Sequence, residues 1–162
     1  MMELFKTLLI FLLTTIVLFA DRNSLFETVK AMPVLQNSAS IVVDEDKTYL
    51  VGVGRSTIHG KDAMAKIRAI KEAQMLANKT IMSFSYGTNV EIEEDLKTTK
   101  TTTTLVIDGK VVNGNKKLEK KYLQRIRESG DGILVGLQEL GKWMNNNKYY
   151  YAYYVLIPKV EE

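Results

Sequence analysis

The chain has 162 residues, of which 46% are hydrophobic and 25% charged, and its formal net charge is +3. These are globular proportions and exclude a mostly disordered chain, while only 2 Pro and 10 Gly exclude collagen-like and Pro-rich architectures. The absence of Cys excludes disulfides, thiolate zinc sites, iron–sulfur clusters, cysteine nucleophiles and lipid attachment to an N-terminal cysteine; the single His, His59, excludes a multi-histidine metal site.

Met1 to Lys6 carries one Lys and one Glu, and Thr7 to Ala20 (TLLIFLLTTIVLFA) carries no charge before Asp21 and Arg22. A short apolar core after a lysine, ending in a small residue, has the form of a secretory signal peptide. It is short for a transmembrane helix, which needs about 20 apolar residues. Cleavage is expected after Ala20, although Leu18 stands where a small residue is preferred. The competing reading is an uncleaved anchor. Both place the remainder outside the cytoplasm. Removing Glu3 and Lys6 with the leader leaves the net charge unchanged, and a small positive value over a whole domain is no nucleic-acid footprint. What remains suffices for one domain and is short for two.

Residues 21–38 read as a spacer or a short, loosely packed helix. Ser24-Leu-Phe-Glu27 fits a capping box, and Pro33 ends the segment. A single domain is expected over 39–162. Ile41 to Val43 is a short strand and Asp44 to Lys47 a turn. Thr48 to Ile58 (TYLVGVGRSTI) is a stronger strand, rich in β-branched and aromatic residues. Gly52 and Gly54 lie two apart, so one strand face lacks side chains and admits a close neighbour. This GVG lacks the third glycine and the later acidic residue of a dinucleotide fingerprint.

The clearest period runs from Lys61 to Ile81. Ala65, Ala69, Ala73 and Ala77 recur every fourth position, which makes one stripe on a helix. Ile67, Ile70, Leu76 and Ile81 are expected to widen that buried surface. Lys66, Arg68, Lys71, Glu72, Asn78 and Lys79 form a polar flank. Methyl-sized side chains let the helix axis sit close to a sheet. Val90, Ile92 and Leu96 alternate with acidic residues as a half-exposed strand. KTTKTTTT (97–104) reads as a solvated edge strand or a mobile hairpin arm. Leu105 to Val112, centred on Asp108-Gly109, is a hairpin with a type I′ turn. Lys116 to Glu128 fits helix and strand, with strand favoured in its second half. Ile133 to Trp143 is a strand, Asn145 to Lys148 a turn, and Tyr149 to Ile157 (YYYAYYVLI) the most β-prone stretch.

Chemistry-bearing constellations are few. Glu91, Glu93, Glu94 and Asp95 cluster, but without the spacing of a calcium loop, and a solvated strand face explains them. Lys116, Lys117, Lys120, Lys121, Arg125 and Arg127 form a basic run that suits an anionic polymer or lipid, or a plain solvated face. Ser56, Thr57 and His59 meet at a strand-to-helix corner without a glycine-flanked serine elbow. Tyr149, Tyr151 and Tyr153 share one strand face, and Tyr150 and Tyr154 the other. One set packs in the core. The other is a candidate partner contact, or simply a set of stabilising cross-strand pairs.

YLVGVGRS, then AMAKIRAIKEAQMLA, then GDGILVGLQELGKWMNNNKYYYAYYVLI together resemble the LPP-twenty family, the small bacterial lipoproteins named for the twenty-kilodalton outer-membrane antigen of Helicobacter. The pattern is also similar to the N-terminal domain of the flagellar assembly protein FlgT. The likeness covers about Lys47 to Lys159, with the Thr-rich segment as a variable middle. It implies a non-enzymatic envelope protein with a compact α+β fold, either a surface lipoprotein or part of a flagellar ring assembly. This chain lacks the family's lipid-attachment cysteine.

The expectation is therefore an α+β domain: an antiparallel twisted sheet packed by one principal Ala-rich helix, after an N-terminal signal or anchor helix. It is expected to be exported to the periplasm or envelope, or secreted, and to act without cofactor, metal or catalytic residues. Other envelope proteins or further copies of the chain are the expected partners, with contacts through Tyr149, Tyr151 and Tyr153. No nucleic acid is expected, and a membrane only if the leader stays uncleaved. A rival expectation is a binding module for a small ligand or cell-wall polymer on the sheet face near Gly52 and Gly54. Catalysis by the acidic cluster ranks last.

Overall fold

β-branched and aromatic runs build the sheet. Ala39–Asp44 (β1) and Lys47–Thr57 (β2) pair antiparallel, with Asp44 opposite Lys47. The computed structural model describes residues 22–44, 46–86, 92–94, 97–99, 104–112, 120–124, 126 and 136–157. The expected leader over 1–20 lies outside them. Two-residue turns close two more hairpins. Asp108 and Gly109 (φ 48° and 71°) join Thr104–Ile107 and Lys110–Val112; Asn146 and Asn147 (φ 47° and 60°) join Gln138–Asn145 and Lys148–Ile157. Positive φ at both central positions is the type I′ geometry, whose twist matches that of the flanking strands. A further short pair, Ile92–Glu94 (β3) and Lys97–Thr99 (β4), stands apart from the main sheet. The remaining strands are β5 (Thr104–Ile107), β6 (Lys110–Val112), β7 (Gln138–Asn145) and β8 (Lys148–Ile157).

The main sheet has six strands in the order β6-β5-β1-β2-β8-β7. The fold is α+β, as the sequence predicts, but the sheet is not wholly antiparallel. β1 runs parallel to β5, with Ile41 opposite Leu105 and Val42 opposite Val106. The reason is connectivity. The chain leaves β2, passes through a long helix and returns on the far side of β1, and only such a crossover brings two parallel strands together. Strand composition carries no information on direction.

Helices cover both faces. Residues 22–31 form α1, Ala63–Tyr86 form α2, and residues 120–124 with Ile126 are helical. The last segment corrects the strand favoured there. Ile126, Tyr122 and Leu123 pack with Leu105, Ile41 and Phe84, and that one-sided apolar contact suits the helical period. The expected β7 also shifts: its strand begins at Gln138, and residues 133–135 lie outside the described part.

α1 is no loose spacer. Leu25 and Val29, one helical turn apart, are fully buried against Val42, Val51 and Val53. Burial of that kind stabilises by about 1.5–3 kcal/mol per side chain. Arg22 and Asn23 are already helical, so Ser24 sits inside the helix instead of capping it, and its hydroxyl bonds the Asp44 carboxylate at 3.4 Å. Along β2, Tyr49, Val51 and Val53 point toward α1, whereas Leu50, Gly52 and Gly54 point toward α2.

Candidate functional site

α2 begins where Asp62 Oδ1 accepts the Ala65 amide at 2.5 Å, an N-cap that satisfies one of the helix's open donors. It then lies over β1, β2 and β8. Ala65, Ala69, Ala73 and Ala77 are all buried. Two strand glycines make the approach closer still. A Cβ on Gly54 would collide with backbone atoms of Ala73 and Ala77, and one on Gly52 would lie 2.8 Å from both Ala77 O and Thr80 Oγ1. The helix backbone thus fills the face near Gly52 and Gly54, and leaves no space there for the ligand of the rival expectation. Ile81 joins this buried surface, and Ile70 and Leu76 are half-buried, but Ile67 is exposed. It lies too far around the helix from the alanine stripe.

The three tyrosines complete the interface. Tyr153, Tyr151 and Tyr149 stand opposite Gly52, Gly54 and Ser56 in the β2–β8 register, on the α2 side. Rings on β8 therefore flank the shallow positions of β2. Tyr151 is only 5% exposed and packs on Ala73 and Ala77. Tyr149 packs with Ile58, Ala65 and Ala69, and is half-buried, as is Tyr153. As a row open to a partner this set is incomplete, because α2 covers Tyr151. The opposite pair also serves the core: Tyr150 stacks on Trp143 (5.1 Å, 3°), and Tyr154 meets Tyr49 edge-on at 5.9 Å.

Polar groups seal the edges of the helix–tyrosine contact. Tyr151 donates to Glu139 Oε2 at 2.5 Å, and Gln74 Nε2 donates to the Tyr153 hydroxyl at 2.8 Å. The Tyr151 and Tyr153 rings lie 5.2 Å apart. Burial first, then the hydrogen bond to Glu139 and the neighbouring Tyr153, push the Tyr151 hydroxyl well above its ordinary value. It stays a neutral donor. On the other flank, Ser56 donates to Glu72 Oε2 at 2.6 Å. Glu72 and Ser56 are sixteen positions apart, so no local motif announces the pair, and the same holds for Gln74, Glu139 and their tyrosines. His59, at the same corner, is exposed. The hairpin tip is fastened beside it: Ile58 N donates to Asn147 O at 2.9 Å, and Asn147 Nδ2 donates to Ile58 O at 3.0 Å.

The remaining sequence candidates are less fully placed. Glu93 and Glu94 lie on β3, while Glu91 and Asp95 fall outside the described residues, as do Lys116, Lys117, Arg125 and Arg127. Lys120 and Lys121 sit exposed on the short helix. Among the described residues, no three His, Asp or Glu side chains gather into a metal-holding group. No helix among them is long and apolar enough to cross a membrane.

β7 is one of the two edge strands of the main sheet, and α2 lies chiefly over β2 and β8. Lys142 and Met144, opposite Tyr151 and Tyr149, are exposed on the α2 side, beside Glu139. The free edge is blocked at one point, where Arg22 Nε and a terminal guanidinium nitrogen donate to Leu140 O at 3.4 and 3.3 Å. No protein-family profile and no curated protein matches the chain.

Proposed function

We propose that the chain is an exported, non-catalytic bacterial envelope protein that works by protein–protein contact, in a surface or flagellum-associated assembly. The apolar Thr7–Ala20 leader and the likeness to the LPP-twenty and FlgT patterns support this reading. The observation that carries it is the uncovered strip at the sheet margin. Met144 and Lys142 on β7 lie open beside the half-buried Tyr149 and Tyr153, where a mixed apolar and polar surface meets an edge strand. Aromatic side chains and methionine next to an open strand edge are the materials of a protein contact.

The test replaces Met144 of the full chain with a photocrosslinking amino acid in envelope-bearing cells, with Lys30 on the other face as the control position. Defined adducts from position 144 and none from position 30, together with elution of the chain above monomer size, are expected. A chain that stays monomeric and yields no adduct at 144 would overturn the reading.

A further inference from the structure

The solvent side of α2 carries a pattern that neither the core nor the β7 margin uses. Met64, Met75 and Met82 fall within about 20° of a single line along the helix, which they span over about 27 Å. They are 57%, 63% and 39% exposed, and Ile67 beside them is 43% exposed. Half of the large exposed hydrophobic side chains among the described residues thus stand on this one ridge. Isolated surface hydrophobics are ordinary; alignment along one helix is not.

Cations flank the line. Arg68 and Lys79 lie on one side and Lys71 on the other, all exposed, and none forms an ion pair among the described residues. Glu72 is the only carboxylate in α2, and it is turned to Ser56. The α1 helix differs, for there Lys30 faces Glu27 at 3.8 Å.

We infer that the outer ridge of α2 lies against an anionic lipid surface, its axis along the headgroup layer. A convex ridge offers a line of contact, which a flat and deformable surface accepts and a rigid protein partner must match with a groove. A helix that docks in a groove repeats apolar anchors every three or four residues. Here Met64 and Ile67 are so spaced, but beyond Ile67 the stretches up to Met75 and Met82 carry Arg68, Lys71, Asn78 and Lys79 instead. That alternation suits headgroups, where lipid phosphates and acyl carbons lie within a side chain's reach of each other. The long stems of Lys and Arg lie along the apolar layer while their charges meet phosphate, and unbranched methionines fill the irregular boundary. Of the chain's other lipid-directed features, the Thr7–Ala20 segment is uncharged and indifferent to lipid headgroup charge, and the basic run from Lys116 to Arg127 is left unaltered by substitutions in α2.

The absence of Cys makes a direct test simple. The full-length M75C variant, labelled with a polarity-sensitive fluorophore, is mixed with vesicles of phosphatidylglycerol and phosphatidylcholine, or of phosphatidylcholine alone. The neutral vesicles read any attachment by the N-terminal segment. Expected are a blue shift with anionic vesicles only, its reversal by added salt, and no shift for K30C on the opposite face. Substituting Arg68→Gln, Lys71→Gln and Lys79→Gln should weaken the response roughly fivefold per cation, with circular dichroism unchanged. No shift at position 75 with anionic vesicles, or a shift untouched by the triple substitution, overturns the inference. So does an equal response to soluble poly-glutamate without lipid, which would assign the ridge to an acidic protein.

Discussion

The two faces of the sheet are packed by opposite means. Under α1 the contacts are large: Phe26 meets Trp143 edge-on at 5.8 Å, Trp143 stacks on Tyr150, and Leu25 and Val29 fill the layer between. Where the alanine stripe of α2 crosses β2 they are small, with alanines above two glycines. The first face gains stability from apolar area and shape. The second gains it from proximity, since backbone atoms of helix and strand nearly touch. Large side chains can re-pack or leave a cavity when altered, whereas backbone has nowhere to go. Trimming should therefore hurt the α1 face, and enlarging should hurt the α2 face more.

The strongest test is Gly54→Val. Its side chain would meet the Ala73 and Ala77 backbone, so the loss should reach or exceed the roughly 3 kcal/mol usual for overpacking. A urea midpoint near the parent's would show that α2 does not sit where it is described. Next comes Leu25→Ala, expected to cost about 2–5 kcal/mol through the cavity left beneath α1. Little change there would mean that α1 is dispensable to the core. Ser56→Ala removes a part-buried hydrogen bond to a charged group and should cost about 1–3 kcal/mol in the same assay.

A fourth expectation follows from Tyr151. Its folded-state value lies above the ordinary 10.0, so the folded chain holds this proton more tightly than the unfolded chain does. The stabilising effect is complete below about pH 10 and declines as pH rises beyond it. Thermal midpoints measured across that range should fall less steeply in Tyr151→Phe, and parallel curves would refute the buried-donor assignment. The smallest effect is reserved for the outer ridge: Met75→Gln should alter stability by no more than about 0.5 kcal/mol, since the side chain is mostly exposed.

Local chemistry was readable wherever a short motif suffices. Asp108-Gly109 closes its hairpin in the geometry those residues favour, and the alanines at fourfold spacing face the sheet. Gly52 and Gly54 mark a close approach, which proves to be helix backbone. Other features depend on distant neighbours. Gly141 looks unremarkable in its strand, yet a Cβ there would strike the Phe26 ring, over a hundred positions earlier. The tyrosine row could be assigned to one strand face, but which face the helix covers is not written in it. The short helix at 120–124 carried two periods at once, and contact with Leu105 and Ile41 settles the matter.

By itself the amino-acid order determined the α+β class, the hairpin turns and the inner side of α2, because each follows from φ preferences or periodicity within a few residues. Only the assembled fold decided that β5 runs parallel to β1, that α1 belongs to the core, and that Tyr151 is shut beneath α2 with its hydroxyl donating to Glu139. Those outcomes rest on long-range packing, where the energy of a side chain is set by neighbours that the local sequence does not contain.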